Sequence, residues 1–335
     1  MELLRIVAMF LILLLHSNFF TIGEPSSNDM KFDTIVSLTR VFIKALSIIG
    51  VNVFVILSGW YGIKFKLDRL LGLFFQVLFF NTIGVIIAVV ESKPINVFNV
   101  LGLDNTYWFI NAYILLYILT PILNLFVEKS EKNVYRLFLV AFFVFQTLYG
   151  WFPCDTPWIY GGSSTISFIG LYMLMRYVKR FKLDCIRWSC WKHLLVYLTM
   201  VSCMTLSVSV QINFSIDPIN RMFYYTSPFL IVASLAFVLL FSKMRLRSRL
   251  INWIAASSFA VYLFHMNYFV QPYFKGVLLY LFNTRSYWIY LLMSIGVCFV
   301  FYIVGTLCDK VRLVLWNRLI ELSYYKKCVY NETEN

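Results

Sequence analysis

Charge is what this sequence has least of. Only 13% of its 335 residues are charged, against about 25% in a typical soluble domain. Hydrophobic residues make up 61%. A water-soluble chain of this length has no core large enough to hide that much apolar surface. An ordinary soluble domain is therefore excluded, and lipid is the solvent for much of the chain. Cysteines number seven, an odd count, and they are scattered. Cys185 and Cys190 share one loop but have no second pair to complete a zinc site. They read as small apolar fillers or free thiols, and no metal is expected. Walker loops, GxSxG elbows, HExxH runs and CxxC pairs are all missing, so nothing marks an ATPase, a serine hydrolase or a zinc enzyme. Histidine is rarer still, with three in the chain.

What is present is a succession of apolar runs of roughly twenty residues, the length a helix needs to cross a hydrocarbon core of ~30 Å. They fall near 3–20, 42–62, 69–90, 107–127, 134–151, 162–178, 192–210, 222–242, 255–273 and 287–308. This predicts an all-α integral membrane protein, a bundle of about ten transmembrane helices forming a single domain over 1–335, with 309–335 as a short cytoplasmic tail. The opening run MELLRIVAMFLILLLHS has no small-residue cleavage site after it, so it is expected to stay as the first helix. Abundant Phe and Tyr, 33 and 22, suit lipid-facing and interfacial positions.

The net charge of +13 would suit a nucleic-acid binder if it were clustered, but it lies in short gaps between apolar runs. No nucleic acid is expected. With the N-terminus inside, 22 of the 29 Lys and Arg fall in inner segments. The positive-inside rule then places both termini of a multi-pass membrane protein in the cytoplasm.

Polar groups within spans cost a few kcal/mol on insertion scales and are functional candidates by default. His16 lies eleven residues beyond Arg5, roughly 16 Å deeper along the first helix. It is either a hydrogen-bonded interfacial residue or a general base, since imidazole titrates near neutral pH. His265 reaches a similar depth in the ninth run. His193, at the start of the seventh, reads as a surface residue. Asn52, Asn81, Asn111, Asn124 and Asn267 are typical helix glue. Trp108 and Tyr113 flank Asn111, where aromatics serve a membrane belt or stack on a sugar. Arg5, Lys66 and Arg69 sit at inner helix ends, either as topology anchors or as a phosphate site.

Four segments taken together carry a family resemblance. They are Glu2-x-x-Arg5 with His16 closing the first helix, Gly50-Val51-Asn52 through Ser58-Gly59-Trp60, Trp108-Phe109-Ile110-Asn111-Ala112-Tyr113 through Pro121, and Ser257 through Tyr262-Leu263-Phe264-His265. In this order the chain resembles the acyltransferase-3 family of bacterial membrane O-acyltransferases, in the standalone form without a fused hydrolase-like domain. The resemblance implies transfer of an acetyl group from acetyl-coenzyme A to a hydroxyl of a cell-surface polysaccharide or its lipid-linked precursor. It implies that His16 is catalytic, with Glu2 in the family's acidic position, and that Arg5, Lys66 and Arg69 bind the donor's phosphates. The family's basic pair is Arg-x-x-Arg, and here it is Lys66-x-x-Arg69. Asn52, Trp108, Asn111 and His265 are expected to contact the acceptor or support an oxyanion. His16 acts either as a base or as a transient acetyl carrier. The rival from another class is a transporter or flippase for a lipid-linked sugar. No repeat between the two halves of the chain supports it.

Overall fold

The computed structural model describes residues 1–102, 107–152, 156–216 and 221–333, the side chains of 99 and 321–333 excepted. Among the described residues every regular element is helical. That is the expected outcome where lipid offers no partner for an open backbone. Helix α1 (Glu2–Leu15) runs on into a π-helical turn (His16–Phe20). Next come α2 (Ser27–Phe32), α3 (Thr34–Ser47), α4 (Gly50–Tyr61), α5 (Leu67–Val90) and α6 (Val97–Leu101). The chain continues through α7 (Trp108–Lys129), α8 (Lys132–Gly150), α9 (Thr165–Arg180), α10 (Cys190–Asn213) and α11 (Pro228–Ser242). It closes with α12 (Arg249–Ala255), α13 (Ser258–His265), α14 (Gln271–Thr284) and the long α15 (Tyr287–Thr333).

Among the described residues, eight helical segments are long and apolar enough to cross a membrane. Two of the ten expected runs differ. Residues 162–178 form α9, whose 16 residues span about 24 Å, short of a ~30 Å core. The run at 255–273 is broken into α12, α13 and the start of α14. Asn267 makes the second break. Its Oδ1 accepts from Phe269 N–H at 3.0 Å, a local bond that competes with the helix ladder. Its Nδ2 donates to the Phe80 carbonyl at 3.2 Å and lies 3.3 Å from Asn81 Oδ1 and from Tyr107 Oη. Pro272 then starts α14, where no amide donor is required. The break ends α13 at His265.

The expected run 42–62 is one end of a longer unit, α3 followed almost without interruption by α4. It starts earlier because Asp33 caps it, accepting from Val36 N–H at 3.2 Å. Residues 309–333, expected as a tail, continue α15. Asp309 and Arg312 are buried there, at 0% and 7% exposure. Asp309 Oδ1 accepts from Arg312 Nε at 2.6 Å and from Gln76 Nε2 at 3.0 Å. His193 is also buried, at 1% exposure, contrary to its surface reading. Its ring packs near Trp188.

Helix α1 is the hub of the bundle and packs on α3, α4, α11, α12, α13 and α15. Its crossing with α4 is close. A Cβ on Gly50 would stand 2.5 Å from Ile12 Cγ1 and 3.0 Å from the Ala8 carbonyl, so only glycine fits. Close approach through small residues is how helices associate where lipid supplies no hydrophobic drive.

Candidate active site

The π-turn at the end of α1 begins at His16, and such turns frequently mark functional positions. Side chains satisfy the carbonyls it frees. Thr21 Oγ1 donates to His16 O at 2.8 Å, and Tyr290 Oη of α15 donates to Ser17 O at 2.6 Å. His16 is thereby held at a fixed point, with its ring edge-on to Phe20 at 4.9 Å.

His265, 1% exposed at the end of α13, meets it. The ring centroids lie 5.0 Å apart, and His16 Nδ1 is 2.8 Å from His265 Nε2. His265 Nδ1 lies 2.7 Å from the Val261 carbonyl. A carbonyl only accepts, so that nitrogen carries the proton. His265 Nε2 then holds a lone pair and accepts from His16 Nδ1–H. What remains is the Nε2 lone pair of His16. This is the logic of an oriented base, in which one group fixes the tautomer of the imidazole that will take a proton. Both nitrogens of His265 are engaged, so it orients His16 and has none left for an acceptor contact.

The pair lines a chamber of about 110 Å³, smaller than the ~300–1,000 Å³ of usual small-molecule pockets. Its wall is mostly apolar, with Trp108, Tyr225, Gln271 and Lys275 as polar or amphipathic contributors. A second cavity, about 340 Å³, lies on the Arg5 side and is lined by Arg5, Lys64, Arg69, Ser58, Tyr113 and Tyr117, among others. Phe54, Phe109 and Phe259 belong to both walls. The cavities therefore abut end to end across three rings. Along α1 the basic end and the imidazole pair are about 16 Å apart.

The connection between α4 and α5, which carries Lys64 and Lys66, is clamped from α7 and α9. Tyr172 Oη accepts from Ile63 N–H at 3.2 Å and donates to Asn124 Oδ1 at 2.6 Å, while Asn124 Nδ2 donates to Ile63 O at 2.7 Å. Tyr117 Oη accepts from Lys66 N–H at 2.9 Å. Arg5 is paired with Glu2 at 2.9 Å and lies over the Tyr61 ring at 5.7 Å.

The expected residues fall into three groups. His16 and His265 meet directly. Arg5 and Arg69 share the basic cavity, where Lys64, not Lys66, is the third lining cation. Glu2 lies fourteen residues from His16, about 21 Å along the helix. It holds Arg5 and is not part of the proton-transfer pair. Asn52 is fully buried and does not line the chamber; its Nδ2 donates to the Tyr225 carbonyl at 3.1 Å. Trp108 lines the chamber, whereas Asn111 lines a separate open groove on the far side of Trp108. Sequence reasoning missed Lys64, Lys275, Tyr225 and the three phenylalanines. The two lysines resemble any topology anchor; the rings fall within the second, third and fourth motif segments, which is the signal that could have found them.

Comparison with the curated proteins and with the solved structures gives no match. The family model for the Acyltransferase domain matches residues 1–303, which takes in the imidazole pair, both cavities and all four sequence motifs. The chain belongs to the acyltransferase-3 family and is a membrane acyltransferase.

Proposed function

We propose that the protein is an O-acetyltransferase of the inner (plasma) membrane. It takes acetyl from cytoplasmic acetyl-coenzyme A and places it on a hydroxyl of a cell-surface polysaccharide or its lipid-linked precursor. The observation that carries this reading is the tautomer chain from Val261 O through His265 to His16, set where two cavities abut. The donor class is supported by Arg5, Lys64 and Arg69, which line one cavity with cations suited to phosphates through charge-assisted bonds. Lys66 stands exposed beside them at the start of α5. The split of positive charge supports an orientation with this cavity facing the cytoplasm.

In the reaction, the donor's phosphates rest on the basic cavity and its thioester reaches the small chamber. His16 Nε2 takes the proton of the acceptor hydroxyl as its oxygen attacks the thioester carbonyl. The carbon–sulfur bond breaks, and the proton returns to the departing thiolate. His265 holds His16 in the required tautomer throughout. A chamber of this size suits only the reacting ends of the two substrates.

The test is transfer of labelled acetyl from acetyl-coenzyme A to extracted glycan in membranes. His16→Ala is expected to abolish transfer at an unchanged level of membrane-inserted protein. Wild-type transfer by that variant would remove His16 as the base. Translocation of a lipid-linked sugar without acetylation would favour a transporter.

A further inference from the structure

The chamber is too small for a whole glycan, and a larger open groove lies beside it. This groove, about 810 Å³, sits at the N-terminal ends of α7 and α9. Trp108, Asn111, Trp158, Tyr160, Ser163 and Thr165 are among its lining residues. Trp108 also lines the chamber, so the two spaces meet at its ring. It lies against Tyr225, with centroids 5.6 Å apart. None of the described residues lining the groove is charged.

Trp158 and Tyr160 are 71% and 63% exposed. Both have left-handed backbones, φ 75° and 45°, a conformation that costs of order 1–3 kcal/mol and clusters at binding sites. The turn is held from beneath. Ile159, between the two rings, is 3% exposed and packs where a Cβ on Gly150 would stand. Thr226 Oγ1 donates to the Gly150 carbonyl at 2.8 Å. Gly162, at φ 97°, lies so close to the 225–226 backbone that a Cβ would stand 2.9 Å from Thr226 N. A membrane-belt aromatic needs no such framework. Two exposed rings fixed on a strained turn, next to an amide and hydroxyls, match a ligand with apolar C–H faces and many hydroxyls, which is a sugar chain.

We propose that this groove binds the sugar units flanking the one that is acetylated, so that the acceptor is a chain of several linked sugars and not a single sugar. The proposal rests on the acyltransferase reading. Trp158 and Tyr160 are its stacking platforms, Asn111, Ser163 and Thr165 its hydrogen-bonding groups, and Trp108 the junction from which the target hydroxyl enters the chamber.

The experiment uses the full chain in membranes or nanodiscs. Its acceptors are oligosaccharides of increasing length, from a single sugar upward, released by partial hydrolysis of the producing cell's own polysaccharide. The wild type should use longer acceptors with at least about tenfold higher kcat/KM than the single sugar, as one good stacking contact provides. Trp158→Ala and Tyr160→Ala should each raise KM for long acceptors and erase the length dependence, with kcat kept. Trp158→Phe, which preserves a stacking face, should restore most of it. A length-independent wild type, or variants that lose kcat equally on every acceptor, would overturn the proposal. Binding of the same oligosaccharides to His16→Ala protein, followed by tryptophan fluorescence, separates the two readings. Length-dependent binding that is lost in the His16→Ala/Trp158→Ala double variant sustains the groove even if no acetyl is ever transferred. Length-independent binding, or occupation of the groove by lipid alone, removes it even if acetyl transfer is real.

Discussion

At position 265 an imidazole spends both nitrogens on holding another one. Replacing it with alanine removes the acceptor that fixes the His16 tautomer and leaves the basic cavity untouched. His265→Ala is therefore expected to lower kcat by about 10²-fold or more, with the KM for acetyl-coenzyme A unchanged. His265→Gln, whose amide oxygen can still accept from His16 Nδ1–H, should keep part of the activity that alanine loses. Steady-state transfer in membranes reads both, and a matching rise in donor KM would mean that His265 serves the donor cavity. Both histidines stood out in the sequence because so few ionisable groups lie within apolar runs. Their partnership did not, because it joins residues 249 apart and depends on where α13 stops. Lys275 shows the opposite case. In sequence it is one more charge between runs, yet it lines the chamber from α14. Asn52 was legible as polar and intramembrane, but no pattern reveals that its Nδ2 donates to the Tyr225 carbonyl.

Among elements, the α4–α5 connection has the clearest division of labour. Its cations are exposed or line the cavity, and its backbone is fixed by Tyr117, Asn124 and Tyr172. Intramembrane hydrogen bonds average about 0.6 kcal/mol and reach about 1.7 kcal/mol. Tyr172→Phe with Asn124→Ala removes the three bonds that join Tyr172, Asn124 and Ile63 and should cost about 2 kcal/mol of donor binding, on the order of tenfold or somewhat more in KM. The kcat should hold, because the imidazole pair lies in the other cavity. A fall in kcat at constant KM would mean that the clamp serves the chemistry and not the donor. The long apolar helices were readable from hydropathy, since a span must be apolar for ~20 residues. The interruption between α13 and α14 was not. Hydropathy averages over Asn267, whose one side chain lies within hydrogen-bond distance of four groups and ends the helix where His265 is needed. The early start of α3 was hidden for a similar reason, because its first turns carry Thr34, Ser37, Thr39 and Arg40 among the apolar residues.

Over the whole molecule, buried charge and cavity layout decide the behaviour. Asp309, Arg312 and Gln76 tie α15 to α5 out of contact with solvent. Asp309→Ala leaves a buried guanidinium without its carboxylate and should destabilise the protein by about 3–5 kcal/mol, seen as a lower unfolding temperature in detergent. Asp309→Ala with Arg312→Met should recover most of that loss, and failure to recover would mean that the Gln76 amide left without its acceptor carries the cost. The residues were visible in the sequence as charges beyond the last apolar run, but the helix that carries them inward was not. Among the described residues, Phe54, Phe109 and Phe259 are the ones that line both cavities. Phe54→Ala should raise hydrolysis of acetyl-coenzyme A in the absence of acceptor, because water then reaches the thioester. Unchanged hydrolysis would place the barrier elsewhere. The same rings bear on the cell as a whole. An enzyme fed from one compartment and emptied into another is a potential hole in an energised membrane, and at 100 mV each charge that slips through dissipates about 2.3 kcal/mol. On the proposed function, the three phenyl rings between the two pockets are where such a leak is stopped while the acyl end of the donor passes.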